Sequence, residues 1–250
     1  MLYIQQTDTY RLGNFINLTP TIKALAEKLG RKIPIHFETE YVKQCYIHCD
    51  FIEHIGPQTT APLFTSSLVC KRNIMPDYKF VFENFREQFG LTTMPHTYID
   101  NGSELHRKEK NFVLFMNGTG IQNPDYINTK DPGSKVMKEL VNELLIDGRK
   151  VVFTGSAEDY ERAKDWLKEA PAYVNDIRRS LRLIYDADIV IANDTGLAHA
   201  AAAMNKPLYI LWKDTKFPKN SNPGKKTKYV FRNDWEDVAF DIAHKFKQTN

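Results

Sequence analysis

Residues 189–204 read IVIANDTGLAHAAAAM and join an apolar run, a polar turn and an alanine-rich segment without a gap. The β-branched run at 189–192 suits a strand buried on both faces, and residues 197–204 are strong helix formers. Asp194 or Thr195 can cap this helix, and Gly196 lets the backbone approach a ligand closely. The N–H groups of the first helical turn therefore favour an anion, most often a phosphate, above the end of the strand.

One side chain distinguishes this segment from an ordinary capped helix of an α/β sheet. His199 lies one turn into a helix that is otherwise apolar, close enough to its start to face the same place as the turn. A capped helix without a ligand is the commoner explanation of such a turn, but the polar ring favours a phosphate site.

The same residues resemble the Asp-Ser/Thr-Gly-x-x-His signature of glycosyltransferase family 9, the ADP-heptose:lipopolysaccharide heptosyltransferases. The matching residues follow in unbroken order: Asp194, Thr195, Gly196, Leu197 and His199. The resemblance implies an α/β protein of the GT-B fold, with two Rossmann-like domains whose parallel sheets face a central cleft. It also implies that the turn and the helix start bind the diphosphate of a nucleotide sugar.

Length and composition are those of a globular protein kept in a reducing compartment. The chain has 250 residues, of which 42% are hydrophobic, enough for one large or two small domains. No apolar run is long enough to span a bilayer, and the first residues carry no leader pattern, so we expect a cytoplasmic protein. Three cysteines make no disulfide framework, and a net charge of +3 is too small to indicate nucleic acid binding by itself.

Apolar runs and amphipathic stretches alternate along the chain, which predicts two α/β halves with parallel sheets. In the first half, a loop at 8–14 follows the first strand, and Thr19-Pro20 opens a helix. The remaining elements of this half are predicted at 32–38 (strand), 41–47 (helix), 51–55 and 67–70 (strands), and 78–89 (helix). Those of the second half are strands at 112–116, 150–154, 172–175, 189–192, 207–211 and 229–231, and helices at 133–146, 157–169, 180–185, 197–204 and 234–246.

A charged segment rich in turn residues separates the halves and predicts a linker near 94–110. We therefore assign residues 1–103 to an N-terminal acceptor-side domain and residues 104–250 to a C-terminal nucleotide-sugar-binding domain. The last helix could pack back on the N-terminal domain.

The N-terminal half resembles the family signature Gly-Asp-x₅-Pro-x₄-Leu at Gly13, Asn14, Pro20 and Leu25. The family Asp is the proposed general base for the acceptor hydroxyl, but the amide of Asn14 cannot accept a proton at neutral pH. Asp8 could act as the base from a shifted position, or be an ordinary turn residue. Asn14 could instead hold the acceptor by hydrogen bonds. Two neighbours are candidate acceptor or phosphate contacts: Arg11 and Gly13.

Further donor contacts follow from the resemblance in the C-terminal half. Thr119 and Gly120 belong to the turn after a strand that approaches the donor phosphates, and Lys130 matches a family lysine near the donor. Glu158 matches the family acid that binds the nucleoside end, where a carboxylate can accept two hydrogen bonds from a ribose. The start of a surface helix also favours a glutamate electrostatically.

A lysine-rich loop follows the strand at 207–211. Lys213 and Lys216 open it and could contact phosphates of the donor or of a polyanionic acceptor, although a solvated loop would look the same. Asp186-Ala187-Asp188 has the Asp-x-Asp spacing, but we interpret its two acids as loop or cap residues and not as ligands of a divalent ion. The helix dipole, backbone N–H groups, Lys130 and this loop could neutralise the leaving diphosphate, so we expect no cofactor and no metal requirement.

The favoured interpretation is a heptosyltransferase-like enzyme that moves a sugar from a nucleotide-diphosphate sugar to an acceptor hydroxyl, with inversion. The acceptor would be a saccharide of the lipopolysaccharide type. A phage-type enzyme that glycosylates a hydroxylated base in DNA is an alternative, because the lysine-rich loop suits a phosphate backbone. Asn14 leaves a non-catalytic nucleotide-sugar-binding protein as a second alternative, and a sugar-nucleotide epimerase is a third.

Overall fold

The computed structural model describes residues 3–7, 12–65, 78–105, 111–116, 118, 134–212 and 226–231. These residues fall into two compact units that divide between Asn101 and Gly102. Each unit is built on a sheet of parallel strands with helices between them. Across the described ranges, no helix combines the length and the apolar character needed to cross a bilayer.

The first unit holds a four-stranded sheet in the order β3-β2-β1-β4. Its strands are β1 (Ile4–Gln6), β2 (Ile33–Phe37), β3 (Ile52–Ile55) and β4 (Phe64–Thr65), and its helices are α1 (Leu12–Leu29), α2 (Glu40–Gln44) and α3 (Tyr78–Phe89). The central strand β1 pairs with β2 so that Gln6 lies opposite Phe37, which puts the carboxyl ends of these two strands side by side.

The second unit holds a six-stranded parallel sheet in the order β10-β9-β8-β5-β6-β7. Its elements along the chain are β5 (Phe112–Met116), α4 (Ser134–Ile146), β6 (Lys150–Gly155), α5 (Ala157–Leu167), β7 (Ala172–Val174), α6 (Ile177–Asp186), β8 (Ile189–Ala192), α7 (Gly196–Ala203), β9 (Leu208–Trp212) and β10 (Thr227–Phe231). This is the strand order of dinucleotide-binding folds, in which the chain changes direction across the sheet between β5 and β8. Ligands bind at the carboxyl ends of strands at such a switch point.

The two strands at the switch point are buried along their whole length, as expected for parallel strands covered on both faces. Their side chains join a core in which Trp166 packs edge-on against Phe115, with ring centroids 6.0 Å apart. The carboxyl ends of β5 and β8 are therefore fixed by packing.

The predicted helix start at Thr19 is wrong, because α1 begins at Leu12 and continues through Pro20. The predicted loop at 8–14 is wrong for residues 12–14, and its residues 8–11 lie outside the described part of the chain. Proline has no N–H, so the carbonyl of Ile16 loses its usual partner four residues on. The Thr19 hydroxyl replaces it and donates to that carbonyl at 2.7 Å, while accepting the N–H of Tyr98 at 2.8 Å. A side-chain hydrogen bond thus lets the helix pass a residue that usually marks a helix start.

Other predicted elements have the predicted type with small changes at their ends. The bounds of α3, β5 and β8 coincide with the predicted ones. Helix α6 begins earlier than predicted, because the Asp176 side chain caps it by accepting the N–H of Arg179 at 2.8 Å. The predicted strand at 67–70 and the predicted last helix lie outside the described residues.

Candidate active site

The turn between β8 and α7 has the capped geometry that its sequence predicts. Thr195 is the N-cap in an extended conformation, and its hydroxyl accepts the N–H of Ala198 at 3.4 Å. Gly196 is the first helical residue, so the N–H groups of Gly196 and Leu197 belong to the first turn, which lacks intrahelical acceptors. These N–H groups and the helix dipole make the turn suitable for an anion.

His199 stands inside this site rather than on the protein surface. Only 8% of the residue is exposed, and its Nε2 atom lies 3.5 Å from Oδ1 of the buried Asp194. Its other ring nitrogen, Nδ1, is buried and finds no hydrogen-bond partner among the described residues. A buried ring nitrogen normally has a partner, so Nδ1 is an atom that a bound ligand could satisfy.

The turn after β5 lies against the turn after β8. Gly118 is so close to Thr195 that a β-carbon at position 118 would stand 3.2 Å from Thr195 Cγ2. The same β-carbon would be 3.4 Å from Oδ2 of Asp159, at the start of α5. The residues following β5, β6 and β8 therefore meet at the switch point of the sheet.

Asp159 was not among the residues selected from the sequence. It forms a capping box with Ser156: the Ser156 hydroxyl accepts the N–H of Asp159 at 3.1 Å, and Asp159 Oδ2 accepts the N–H of Ser156 at 3.1 Å. Its other oxygen accepts a hydrogen bond from Arg162. The Ser-x-x-acid pattern at 156–159 was the signal that could have identified it.

Glu158, selected as the acid for the nucleoside end, lies at the start of the same helix and is exposed. Hydrogen bonds from its own backbone N–H and from the Ser156 hydroxyl lower the pKa of its carboxyl group below the ordinary value. It lies at the carboxyl end of β6, next to β5 in the sheet. Its contact with a nucleoside stays a prediction.

Gly13 and Asn14 lie in the first turn of α1 instead of a loop. Gly13 is buried and Asn14 half-buried, at the helix end that follows the carboxyl end of β1. The other selected residues lie outside the described part of the chain: Asp8, Arg11, Thr119, Gly120, Lys130, Lys213 and Lys216.

The GT-B class of glycosyltransferases has two α/β units, each with a sheet of parallel strands. One of the units has a turn suited to a phosphate at the switch point of its sheet. The fold is similar to that of E. coli heptosyltransferase WaaC with ADP, with a TM-score of 0.71 and 15% identity over 100% of both chains. It is also similar to the glycosyl transferase family 9 structure from Veillonella parvula DSM 2008, with a TM-score of 0.69, 13% identity, and 97% and 89% of the two chains covered.

Residues 83–249 match the sequence profile of Glycosyltransferase family 9 (heptosyltransferase), and the chain belongs to this family. A segment of 84 residues is 33% identical to lipopolysaccharide heptosyltransferase 2 of Escherichia coli (strain K12) and covers 30% of this chain. That segment spans 24% of the relative's own length. The resemblance inferred from residues 194–199 and the predicted GT-B fold are thus confirmed.

Proposed function

We propose that this protein is a glycosyltransferase that moves a sugar, heptose in the first instance, from a nucleotide-diphosphate sugar to an acceptor hydroxyl. The observation that carries the proposal is the buried Nδ1 of His199 beside the capped start of α7. Family membership supports it, and so does a solved relative of the same fold that is described with ADP.

In this proposal the donor diphosphate lies on the N–H groups of Gly196 and Leu197, with the His199 ring at its side. The acceptor oxygen attacks the anomeric carbon from the face opposite the diphosphate and loses its proton, while the bond from the sugar to the diphosphate breaks. A single displacement of this kind inverts the configuration. Hydrogen-bond donors held in place beforehand stabilise the charge that develops on the leaving diphosphate.

The proposal includes no metal ion. The helix dipole at α7 and its first-turn N–H groups would offset part of the diphosphate charge. The candidates for neutralising the rest of the diphosphate charge are Lys130, Lys213 and Lys216. Turnover that survives treatment with a chelator would support this part of the proposal, and turnover that returns only with a divalent ion would contradict it.

For the acceptor we propose a saccharide of the lipopolysaccharide type, since relatives that align with a segment of this chain are lipopolysaccharide heptosyltransferases. We also propose a cytoplasmic location, which is supported by Cys45 and Cys49, two buried cysteines that are not in disulfides. The DNA alternative rests on the lysine-rich loop alone. Affinity for duplex DNA that falls steeply with salt would favour that alternative.

Calorimetric titration with ADP-heptose tests the donor site. We expect Thr195→Ala and His199→Ala each to weaken binding by about tenfold, the effect of losing one buried hydrogen-bonding group. His48→Ala, a change at an exposed residue of the first unit, is the control and should bind like the wild type. Unchanged affinity in both site variants, with the fold intact, would contradict the assignment.

Two further outcomes would identify the remaining alternatives. A protein that binds the donor but does not turn it over with any acceptor, and whose behaviour does not change in Asp8→Ala, would be a non-catalytic binding protein. Conversion of the donor sugar in the absence of any acceptor would identify an epimerase.

A further inference from the structure

The two ring nitrogens of His199 have different surroundings. Nε2 lies 3.5 Å from Oδ1 of Asp194, a residue of which only 4% is exposed. Nδ1 is buried and has no hydrogen-bond partner among the described residues. In the proposed function, Nδ1 is the nitrogen that faces the donor diphosphate. Both ring nitrogens would then face oxygen atoms that only accept hydrogen bonds.

A neutral imidazole ring cannot serve two acceptors, because it has one N–H and its other nitrogen carries a lone pair. An N–H on Nε2 would leave the lone pair of Nδ1 against a phosphate oxygen. An N–H on Nδ1 would leave the lone pair of Nε2 against the carboxylate of Asp194. A protonated ring has an N–H on each nitrogen and can donate to both acceptors. The charged ring is therefore the form that fits between Asp194 and a diphosphate.

Among the described residues, Asp194 is the charged partner of His199. Helix α7 has no other titratable side chain and packs chiefly against α6, β8 and β9. Strand β8 has no titratable side chain, and β9 has the phenol of Tyr209. The charged residues of α6 have partners of their own: Arg178 pairs with Glu104, Arg179 lies over the ring of Tyr173, and Arg182 contacts Asp186 and the ring of Tyr185. At the neighbouring turn, Asp159 pairs with Arg162. The helix dipole at the start of α7 opposes a cation on the ring, so a bound diphosphate adds charge that favours protonation.

We propose that His199 takes up a proton when the donor binds, so that a charged imidazolium ring bridges the diphosphate and Asp194. This inference rests on the proposed donor site at the start of α7. The proton comes from water or buffer and forms the second N–H bond of the ring. Nδ1–H then donates to a phosphate oxygen, and Nε2–H donates to Oδ1 of Asp194. Asp194 is thus a positioning residue that acts on the donor through His199.

Proton uptake makes donor affinity depend on pH in one direction. Because the protonated ring is the form that binds, affinity is highest on the acid side of the histidine titration and falls as the pH rises. A phosphate esterified on one side has a second ionisation near about pH 6, but both phosphates of ADP-heptose are linked on two sides and lack it. We expect the Kd of the wild type for ADP-heptose to rise by about tenfold or more between about pH 6.5 and 8.5.

Calorimetry in two buffers of different ionisation enthalpy, Hepes and Tris, counts the protons directly, because the buffer supplies them. We expect the apparent binding enthalpy of the wild type to differ between the buffers by the amount for uptake of up to about one proton, at one or more pH values in this range. His199→Gln should bind ADP-heptose more weakly, without proton uptake. His48→Gln, a change of an exposed histidine in the first unit, is the control and should take up as many protons as the wild type.

Asp194→Asn distinguishes this role of Asp194 from a structural one. The new amide can turn its NH₂ group toward the ring, so a neutral His199 can accept at Nε2 and donate from Nδ1 to the phosphate. We expect this variant to bind ADP-heptose with much less proton uptake than the wild type. Its Kd should change by less than about threefold between about pH 6.5 and 8.5. A merely structural role of Asp194 would weaken binding but leave the proton uptake unchanged.

The outcomes separate this inference from the function on which it rests. A wild type that binds ADP-heptose without proton uptake throughout this pH range would overturn the inference and leave the donor site in place, with Nδ1 accepting from a hydroxyl of the donor. Undiminished proton uptake in His199→Gln or in Asp194→Asn would also overturn it. A wild type that does not bind ADP-heptose or another nucleotide sugar would contradict the proposed function, and this inference with it.

Discussion

Gly118 and Thr195 are in contact at the centre of the candidate site, at the ends of adjacent strands. A β-carbon at Gly118 would lie 3.2 Å from Thr195 Cγ2, tighter than an ordinary van der Waals contact. Thr195 is also the residue that caps α7. A side chain at position 118 would therefore have to push Thr195 aside by a few tenths of an ångström, and Thr195 is part of the proposed donor site.

We predict that Gly118→Ala weakens donor binding by about fivefold to tenfold, because the added methyl displaces Thr195 from the turn. Gly56→Ala is a matched control, since a β-carbon at Gly56 meets no atom within 4 Å. Calorimetry with ADP-heptose measures both. An affinity of Gly118→Ala equal to that of Gly56→Ala would show that this contact does not position the site.

At the level of residues, the sequence predicted which side chains lie close together where they belong to one local motif. Asp194, Thr195, Gly196 and His199 lie together as the motif implied. At the start of α5 the family resemblance points to Glu158, and the carboxylate that lies beside Gly118 is that of its neighbour Asp159. Adjacent helical residues point in different directions, and only the capping pattern from Ser156 to Asp159 could have shown which one faces the turn.

At the level of elements, helix α1 continues through Pro20 because a side-chain hydrogen bond replaces the missing backbone one. The Thr19 hydroxyl serves the carbonyl that Pro20 leaves without an N–H, and it also binds the backbone of Tyr98. Thr21, in the same helix, has an equally buried hydroxyl that contacts no hydrogen-bonding group of the described residues. The helix thus offers two threonines that differ in hydrogen bonding but little in burial.

We predict that Thr19→Val lowers the free energy of unfolding by about 1–3 kcal/mol, because the buried Ile16 carbonyl and the partly buried N–H of Tyr98 lose their partner. Thr21→Val should be neutral or slightly stabilising, since it removes a buried hydroxyl without a partner. Adding Pro20→Ala to Thr19→Val should recover part of the loss, because the new N–H can reach the Ile16 carbonyl. Urea unfolding of the wild type, the two single variants and the double variant measures these free energies. Equal losses of unfolding free energy in Thr19→Val and Thr21→Val would contradict this explanation.

The elements that the sequence predicted best are those with a strong apolar pattern. Strands β5 and β8 are continuous apolar runs, and α3 has aromatic residues at helical spacing, so their bounds were predicted correctly. The start of α1 was missed, because Pro20 is a common first helical residue and the Thr19 hydrogen bond that keeps it inside the helix depends on distant Tyr98. Local pattern does not contain that contact.

On the scale of the whole chain, alternating strands and helices predicted parallel sheets, but not the order of the strands. That order depends on pairing between distant segments, such as β5 with β8. It decides the location of the switch point, and with it the place where Gly118, Asp159 and Thr195 meet. Family membership agrees with this arrangement, although the curated relative aligns over only 24% of its own length.

The central claim is that a nucleotide-diphosphate sugar binds at the start of α7. A crystal structure of the protein soaked with ADP-heptose tests it most directly. We expect density for the diphosphate within hydrogen-bonding distance of the N–H groups of Gly196 and Leu197, with the His199 ring beside it. Donor density bound elsewhere on the protein, or an empty turn at a saturating concentration of donor, would contradict it.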